Sequence, residues 1–192
     1  MSPSILFVST ANTLIHRDGH QMILDALWEA LYPALKEGEW VPDESAYELL
    51  QQKLSRLSLI LPAGNAASPK GAEVTGKKFR LMPNKLGYDA CEFDFSGGRS
   101  ARLNFFRGGE RSDLRFGMNE WIVAEDPFMG LRAANAGTWV DEKTCIVRIQ
   151  HFHPLQMFML TCRFAEDNLL VIQVVPVGEH RKDVACYLNG SC

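Results

Sequence analysis

The sequence lacks a long apolar run, an excess of basic residues and a paired-cysteine motif. No apolar stretch in its 192 residues approaches the roughly 20 that a helix needs to cross a bilayer. Its 20 lysines and arginines are outnumbered by 23 aspartates and glutamates, so the charge does not indicate a nucleic-acid partner. With 46% hydrophobic residues, the composition predicts a soluble folded chain without a membrane span.

The cysteines and the amino terminus both bear on the cellular compartment. The five cysteines are odd in number, and none belongs to a Cys-x-x-Cys pair. They are Cys91, Cys145, Cys162, Cys186 and Cys192. Because most lie in apolar patterns, we predict buried free thiols in a reducing compartment. The apolar core at residues 5–8 is short for a signal peptide, which favours a cytoplasmic chain, with truncation of a longer protein at Met1 left open.

Residues 1–61 are predicted to form a strand and two helices. Residues 5–11 have a strand-like pattern, and apolar side chains recur at helical spacing through residues 21–35. A second helix is predicted to begin after Asp43, whose carboxylate is a good N-cap. Helices this short need a surface to cover, so we take Trp28, Leu24 and Leu31 of the first helix as interface candidates.

The spacing of apolar residues changes from helical to alternating after residues 62–76, which marks the next domain. Residues 62–76 are rich in proline, glycine, alanine and serine, which predicts a linker. Beyond them, apolar and polar residues alternate in short runs separated by turns such as Gly97-Gly98. We count about eight runs and no helical pattern between them. The sequence therefore predicts a mainly β fold, with residues 77–192 forming an antiparallel barrel.

Alternate residues of these strands are predicted to face the inside of the barrel. They could line a cavity for one small apolar ligand, as in other barrels of about eight strands. The alternative is an interior filled by packed aromatic side chains. The candidates for the barrel lumen are Phe93, Phe95, Leu103, Phe105, Val147 and Ile149.

Two histidines on one strand are the only pattern compatible with a metal. His151 and His153 have suitable spacing, but a zinc site needs three or four ligands and no third is evident nearby. We therefore expect neither a metal nor a cofactor. The other reading is a pair of histidines at a strand end beside Pro154.

Arginines accumulate along one predicted strand pair. They are Arg99, Arg102, Arg107, Arg111 and Arg115. An anionic partner would explain them, but the interrupting acidic residues Glu110 and Asp113 favour an ordinary solvated sheet face.

Several segments of the sequence, in this order, resemble a known protein family. They are QMILDALWEALYPAL, VPDESAYELLQQKLSRLSL, a Gly/Ser/Pro linker, GKKFRLMPNKLGYDACEFDF and AGTWVDEKTCIVRI. Over nearly the whole chain this order resembles the carboxy-terminal part of bacterial serine hydrolases related to class C β-lactamases and penicillin-binding proteins. The resemblance implies that residues 77–192 are a lipocalin-like accessory barrel and that residues 1–61 are the end of a catalytic domain.

The catalytic motifs of that family are missing from this sequence. There is no Ser-x-x-Lys, and Tyr187 and Asn189 match Tyr-x-Asn only at the extreme carboxy end. The segment Lys143-Thr144-Cys145 departs from Lys-Thr-Gly at its third position. Because a nucleophilic serine needs an adjacent base, no residue is assigned as catalytic and this chain alone is not expected to be an enzyme.

The sequence supports three functional hypotheses from different classes. The leading one is a non-catalytic accessory module that supports or shapes the active site of a hydrolase domain absent from this chain. Its partner would be that domain, or a second copy bound through the amino-terminal strand and helix. The alternative is a lipocalin-like binder of a small apolar ligand. A third is a metal enzyme that uses His151 and His153.

Overall fold

The chain folds into two units. A computed structural model describes residues 6–8, 18–35, 41–153, 156–166, 168–177 and 186–192. One unit is helical and spans Asp18–Ile60, and the other contains Leu61–Cys192. Among the described residues, none of the helices has the length and apolar character that crossing a membrane requires.

The helical unit contains both predicted helices. The first consists of α1 (Gly19–Ala26), a π-helical turn (Leu27–Leu31) and α2 (Tyr32–Ala34). The second, α3 (Glu44–Ser55), begins at the predicted cap, where Asp43 Oδ1 accepts a hydrogen bond of 3.0 Å from the Ala46 N–H. Of the strand expected over residues 5–11, only residues 6–8 are described, and they are not in a strand.

The second unit is an antiparallel β-barrel, which confirms the predicted fold class. Its ten strands follow the chain as a meander, and β1 pairs with β10. The strands are β1 (Lys78–Leu81), β2 (Ala90–Asp94), β3 (Ser100–Arg107), β4 (Glu110–Met118), β5 (Ile122–Asp126), β6 (Leu131–Trp139), β7 (Thr144–His151), β8 (Met157–Phe164), β9 (Leu169–Pro176) and β10 (Cys186–Ser191). A short parallel pairing of β4 with β6 closes the sheet.

Ten strands rather than about eight is a correction to the sequence-based count. Strand β6 has no alternating pattern, because its middle is Ala-Ala-Asn-Ala-Gly and both of its faces are buried. Small residues are needed there: a Cβ on Gly137 would lie 2.5 Å from Cδ2 of Phe116. Because both faces of β6 are packed, its sequence lacks the alternation of apolar and polar residues by which the other strands are predicted.

Two hairpin turns contain glycine pairs. Gly97 and Gly98, predicted as a turn from the sequence, lie between β2 and β3. Gly108 and Gly109, between β3 and β4, have φ angles of +56° and +89°. A two-residue turn of this kind needs positive φ at both positions, where glycine has no steric cost.

A short helix covers one end of the barrel. Helix α4 (Pro69–Val74) begins at Ser68, whose hydroxyl accepts a hydrogen bond from the Lys70 N–H. Gly71 lies against the Trp139 ring, and Val74 belongs to the barrel core. This helix falls within residues 62–76, the range predicted as a linker, and the part of the chain that contains it packs with the barrel.

Aromatic rings fill the interior next to α4. Neighbouring rings in this group have centroids 5.0–6.4 Å apart, in stacked, tilted and edge-on arrangements. We call the group the aromatic plug; it consists of Phe79, Phe93, Phe95, Phe116, Trp139 and Phe164. Contacts of this density leave no room for a ligand between the rings.

Candidate functional site

The end of the barrel away from α4 has a different character. Strand register separates the two ends, since Trp139 of the plug pairs with Cys145 at the start of β7, whereas His151 is the last residue of that strand. At the His151 end, Phe105 stacks on Tyr88 with centroids 4.7 Å apart, and Phe128 packs against both rings. Polar side chains lie among these rings.

A buried histidine and aspartate are hydrogen-bonded at this end. Nε2 of His151 lies 2.8 Å from Oδ2 of Asp126, and both side chains are fully buried. The Asp126 carboxylate also accepts hydrogen bonds of 3.1 Å from the backbone N–H groups of Phe128 and Met129, which fixes the turn between β5 and β6. Asp126 therefore holds both the turn and the imidazole in place.

A pocket of about 260 Å³ opens at the same end. We call it the mouth pocket; it is lined by Tyr88, Arg107, Glu110, Arg111, Ser112, Pro127 and Phe128. Its lining combines aromatic faces with two guanidinium groups and one carboxylate. Pro127 and Phe128 follow Asp126 directly, so one wall of the pocket belongs to the turn that Asp126 fixes.

The two arginines of the mouth pocket are held by partners on the barrel. The Arg107 guanidinium donates to the carbonyl of Leu86 and lies 4.8 Å from the centre of the Tyr88 ring. Arg111 donates a hydrogen bond of 2.9 Å to Oδ1 of Asn104. A guanidinium has five N–H donors, so each arginine can still bind an anion.

Burial raises the pKa of the Tyr88 hydroxyl. The positive charge of Arg107 and a hydrogen bond with Ser112 oppose this effect, and the negative charge of Asp126 adds to it. Tyr88 thus stays protonated and neutral at physiological pH, as a polar group within an apolar wall. The charge of Asp126, a member of the buried pair, thus affects the pKa of a residue that lines the mouth pocket.

The predicted lumen residues all belong to the barrel core. Leu103, Val147 and Ile149 are fully buried, as are Phe93 and Phe105. Phe95 is partly buried and packs against the same core. Phe93 and Phe95 lie in the aromatic plug, whereas Phe105 contacts two rings that line the mouth pocket.

The two histidines do not form one site. His151 points into the barrel, whereas His153 lies beyond the end of β7 and is exposed. Across the described part of the chain, no group of three or more histidine, cysteine, aspartate or glutamate side chains is arranged to hold a metal ion.

The interface candidates are exposed on the first helix. Trp28 is 63% exposed, and Leu24 and Leu31 are also exposed. The Trp28 ring contacts Tyr32 one turn later, at a centroid distance of 5.3 Å. The arginines have several environments: Arg99 pairs with Glu120 at 2.6 Å, whereas Arg107 and Arg111 line the mouth pocket.

Three of the predicted free thiols are deeply buried. Desolvation raises the pKa of Cys91 and of Cys145 to about 12 and raises that of Cys162 as well. Cys145 and Cys162 are cross-strand partners on β7 and β8. Cys192 is exposed and free. The buried thiols are unreactive at neutral pH because the thiolate is the nucleophilic form.

Sequence reasoning did not select several residues of this site. Tyr88 precedes β2 without a distinctive pattern, and Asp126 lies in a segment that alternates poorly. The Asp-Pro pair at residues 126–127, followed by Gly130, is a turn signal that could have drawn attention to Asp126. Its partner His151 is 25 residues away and is brought close only by the strand pairing.

Comparison with known proteins supports the fold. No protein-family model matches the chain, and no curated protein sequence matches it. Among solved structures, lipid binding protein 8 of Caenorhabditis elegans is 12% identical with a TM-score of 0.50; the match covers 65% of this chain and 97% of that one. A fatty acid-binding protein of Drosophila melanogaster brain is 15% identical with a TM-score of 0.48, covering 62% and 99%.

The match to lipid binding protein 8 supports a lipocalin-like β-barrel of the fatty-acid-binding-protein type as the fold. The lipocalin-like part of the family resemblance is thereby confirmed. Nothing in the comparisons supports an origin in serine hydrolases related to β-lactamases. At this level of identity the likeness concerns the fold alone.

Proposed function

We propose that this chain binds a small, largely apolar ligand that carries a negatively charged group, and that it does so at the mouth pocket. The observation that carries the proposal is the combination of aromatic walls, Tyr88 and Phe128, with Arg107 and Arg111 around a space of about 260 Å³. Ligand sites are concave and mostly apolar, with a few polar groups that fix orientation. The similar barrels of lipid- and fatty acid-binding proteins are consistent with this reading.

The size of the site limits the ligand. Known small-molecule sites begin at about 300 Å³, so a pocket of about 260 Å³ suits a short molecule. The aromatic plug occupies the interior beyond it, which leaves no space there for a long alkyl chain. A medium-chain carboxylate such as octanoate is therefore a suitable probe.

Charge determines the orientation of the ligand. Arg107 and Arg111 outnumber the one acidic residue of the lining, Glu110. Guanidinium groups bind carboxylates through paired hydrogen bonds, which are the stronger charge-assisted kind. The ligand's acid would therefore lie at the arginines and its apolar part against Tyr88 and Phe128.

Titration calorimetry with octanoate tests the proposal. The wild-type chain should bind, and the double substitution R107A/R111A should weaken binding by about tenfold or more. The matched control is R102A/R115A, which removes the same charge from the same strand pair but from residues outside the pocket lining. No binding to the wild type, or an equal loss in both double variants, would contradict the proposal.

A second candidate is the accessory module of a serine hydrolase, for which the exposed face of the first helix would be the interaction surface. Exposed apolar residues that form a contiguous patch mark interaction sites, and Trp28, Leu24 and Leu31 are exposed at helical spacing. Such a module would bind a separately made catalytic domain or a second copy and would have no activity of its own.

Activity and mass measurements test this candidate. The purified chain should not turn over a chromogenic β-lactam or a simple ester, and acylation of any serine would contradict it. Sedimentation should show self-association, or complex formation with an added catalytic domain of the β-lactamase type, that W28S abolishes. A wild-type chain that remains monomeric and ignores such a domain would remove the candidate.

A further inference from the structure

A second cavity, of about 800 Å³, is formed mainly by strands β1, β2 and β3. We call it the wall groove; the residues that line it include Lys78, Arg80, Leu81, Asp89, Ala90 and Phe106. Its volume is within the range of about 300–1,000 Å³ that is typical of small-molecule sites. Its lining shares no residue with that of the mouth pocket, so the two cavities are separate candidate sites.

Strand register places the wall groove on the outside of the barrel. Cys91 and Phe105 are cross-strand partners on β2 and β3, and both are fully buried in the core. Their neighbours Ala90 and Phe106 are also partners, and Arg80 of β1 lies opposite Ala90. Because successive side chains of a strand point to opposite faces, Arg80, Ala90 and Phe106 form a row on the outer face. The small Ala90 leaves space between the two long side chains beside it.

The ammonium group of Lys78 is held over an aromatic ring of this groove. Nζ of Lys78 lies 3.8 Å from the centre of the Phe106 ring, within the range of a cation–π contact. Glu92 lies opposite Lys78 in register, but its carboxylate accepts a hydrogen bond of 3.4 Å from Asn104. The ring restricts where the ammonium lies without using its hydrogen-bonding capacity for an anion. Lys78 is therefore pre-positioned to bind a negatively charged group.

Arg80 supplies a second positive charge to the wall groove. It lies two residues after Lys78 on β1 and therefore on the same face of the sheet. The ion pairs among the described residues include neither Arg80 nor Lys78. Asp89, the acidic residue of the lining, is already engaged, since its Oδ2 accepts a hydrogen bond of 2.7 Å from the Gly108 N–H. The groove thus has an excess of positive charge beside an aromatic side chain.

We propose that the wall groove binds an organic anion with an aromatic body. Its acid group lies between Lys78 and Arg80, and its ring lies over Ala90 and against the edge of Phe106, since Lys78 covers the face of that ring. Ammonium and guanidinium groups attract an anion and also the face of an aromatic ring. A rigid ring suits a groove on the outer wall, because it loses less conformational entropy on binding than an alkyl chain does. This second site is independent of the ligand proposed for the mouth pocket.

A charged and a neutral probe test the proposal. 2-Naphthoate and 2-naphthamide have the same flat ring system but differ in charge. In titration calorimetry with excess octanoate present to occupy the mouth pocket, the wild type should bind 2-naphthoate about fivefold or more tighter than 2-naphthamide. The double substitution K78A/R80A should reduce this preference to about twofold or less. The matched control R102A/R115A removes the same charge from exposed residues outside both cavities and should keep the preference. Equal affinity for the two probes, or an equal loss in both double variants, would overturn the proposal.

A second measurement uses the wild type alone. Amide chemical shifts should change saturably with 2-naphthoate at Lys78, Arg80 and Phe106, again with excess octanoate present. Shifts confined to the mouth-pocket residues Tyr88 and Phe128 would overturn this inference and leave the proposed function standing. Saturable shifts in the wall groove without any binding of octanoate would support this inference while the proposed function fails.

Discussion

Nε2 of His151 and Oδ2 of Asp126 lie 2.8 Å apart inside the barrel, and neither side chain is exposed to solvent. This bond connects the last residue of β7 with the turn that follows β5. It lies at the end of the barrel that also contains the mouth pocket. The stability and the proposed function of this end therefore depend on the same pair.

Loss of the histidine should destabilise the barrel strongly. H151A leaves the Asp126 carboxylate without its imidazole and creates a cavity, so the free energy of unfolding should fall by at least about 3 kcal/mol. H153A is the matched control, since His153 is exposed just beyond the same strand, and should change it by no more than about 0.5 kcal/mol. Urea unfolding followed by tryptophan fluorescence measures both values, and similar values would contradict the structural assignment.

A methyl group on Gly137 should be poorly tolerated. Because its Cβ would lie 2.5 Å from Cδ2 of Phe116, G137A should lower the free energy of unfolding by about 1–3 kcal/mol. The smaller side chain in F116L should relieve the clash. A double-mutant cycle in urea should therefore show favourable coupling between G137A and F116L. Strictly additive effects would mean that the two residues do not approach each other in this way.

Thiol reagents should distinguish exposed from buried cysteines. In a C186S background, native protein at pH 8 should react rapidly at Cys192 only, because burial keeps Cys91, Cys145 and Cys162 protonated. Denatured protein should release all four thiols to Ellman's reagent. Rapid reaction of more than one thiol in the native state would show that the core is open at these positions.

Alkaline pH should reduce stability through the same cysteines. In the unfolded chain a thiol ionises near pH 8.5, at about its ordinary pKa, whereas the folded pKa of Cys91 and Cys145 is about 12. Between these values the unfolded state binds fewer protons than the folded state, so stability falls as pH rises. From pH 8 to pH 10 each thiol should contribute a loss of about 1–2 kcal/mol. Urea midpoints across this range should decline less steeply in C145A, and an unchanged slope would contradict the assignment.

Local signals made part of the fold predictable. The Asp43 cap and the Gly97-Gly98 turn depend on neighbouring residues only, and both are found as expected. Strand β6 was missed because its middle consists of small residues without alternation, and at Gly137 the small size is required by Phe116 on another strand. The buried pair was missed for a similar reason: Asp126 and His151 come together through strand pairing, which no short window of sequence encodes.

For the predicted lumen residues, the alternation in the sequence indicates which side chains face the barrel interior but not which of them touch. Alternation placed Phe93 and Phe105 inside the barrel, and the structure has both in the core. Alternation does not indicate which interior residues touch one another, so it could not separate the aromatic plug from the open end. Ring contacts of Phe93 with Phe95, and of Phe105 with Tyr88, make that division.

Titration of isotopically labelled protein with octanoate, followed by amide chemical shifts, tests the central claim most directly. Binding at the mouth pocket predicts saturable shifts concentrated at Tyr88, Arg111, Ser112 and Phe128, with little change in the helical unit. The aromatic plug should be unaffected because it is already filled. An absence of saturable shifts, or shifts centred on Trp28 and its helix instead, would contradict the account.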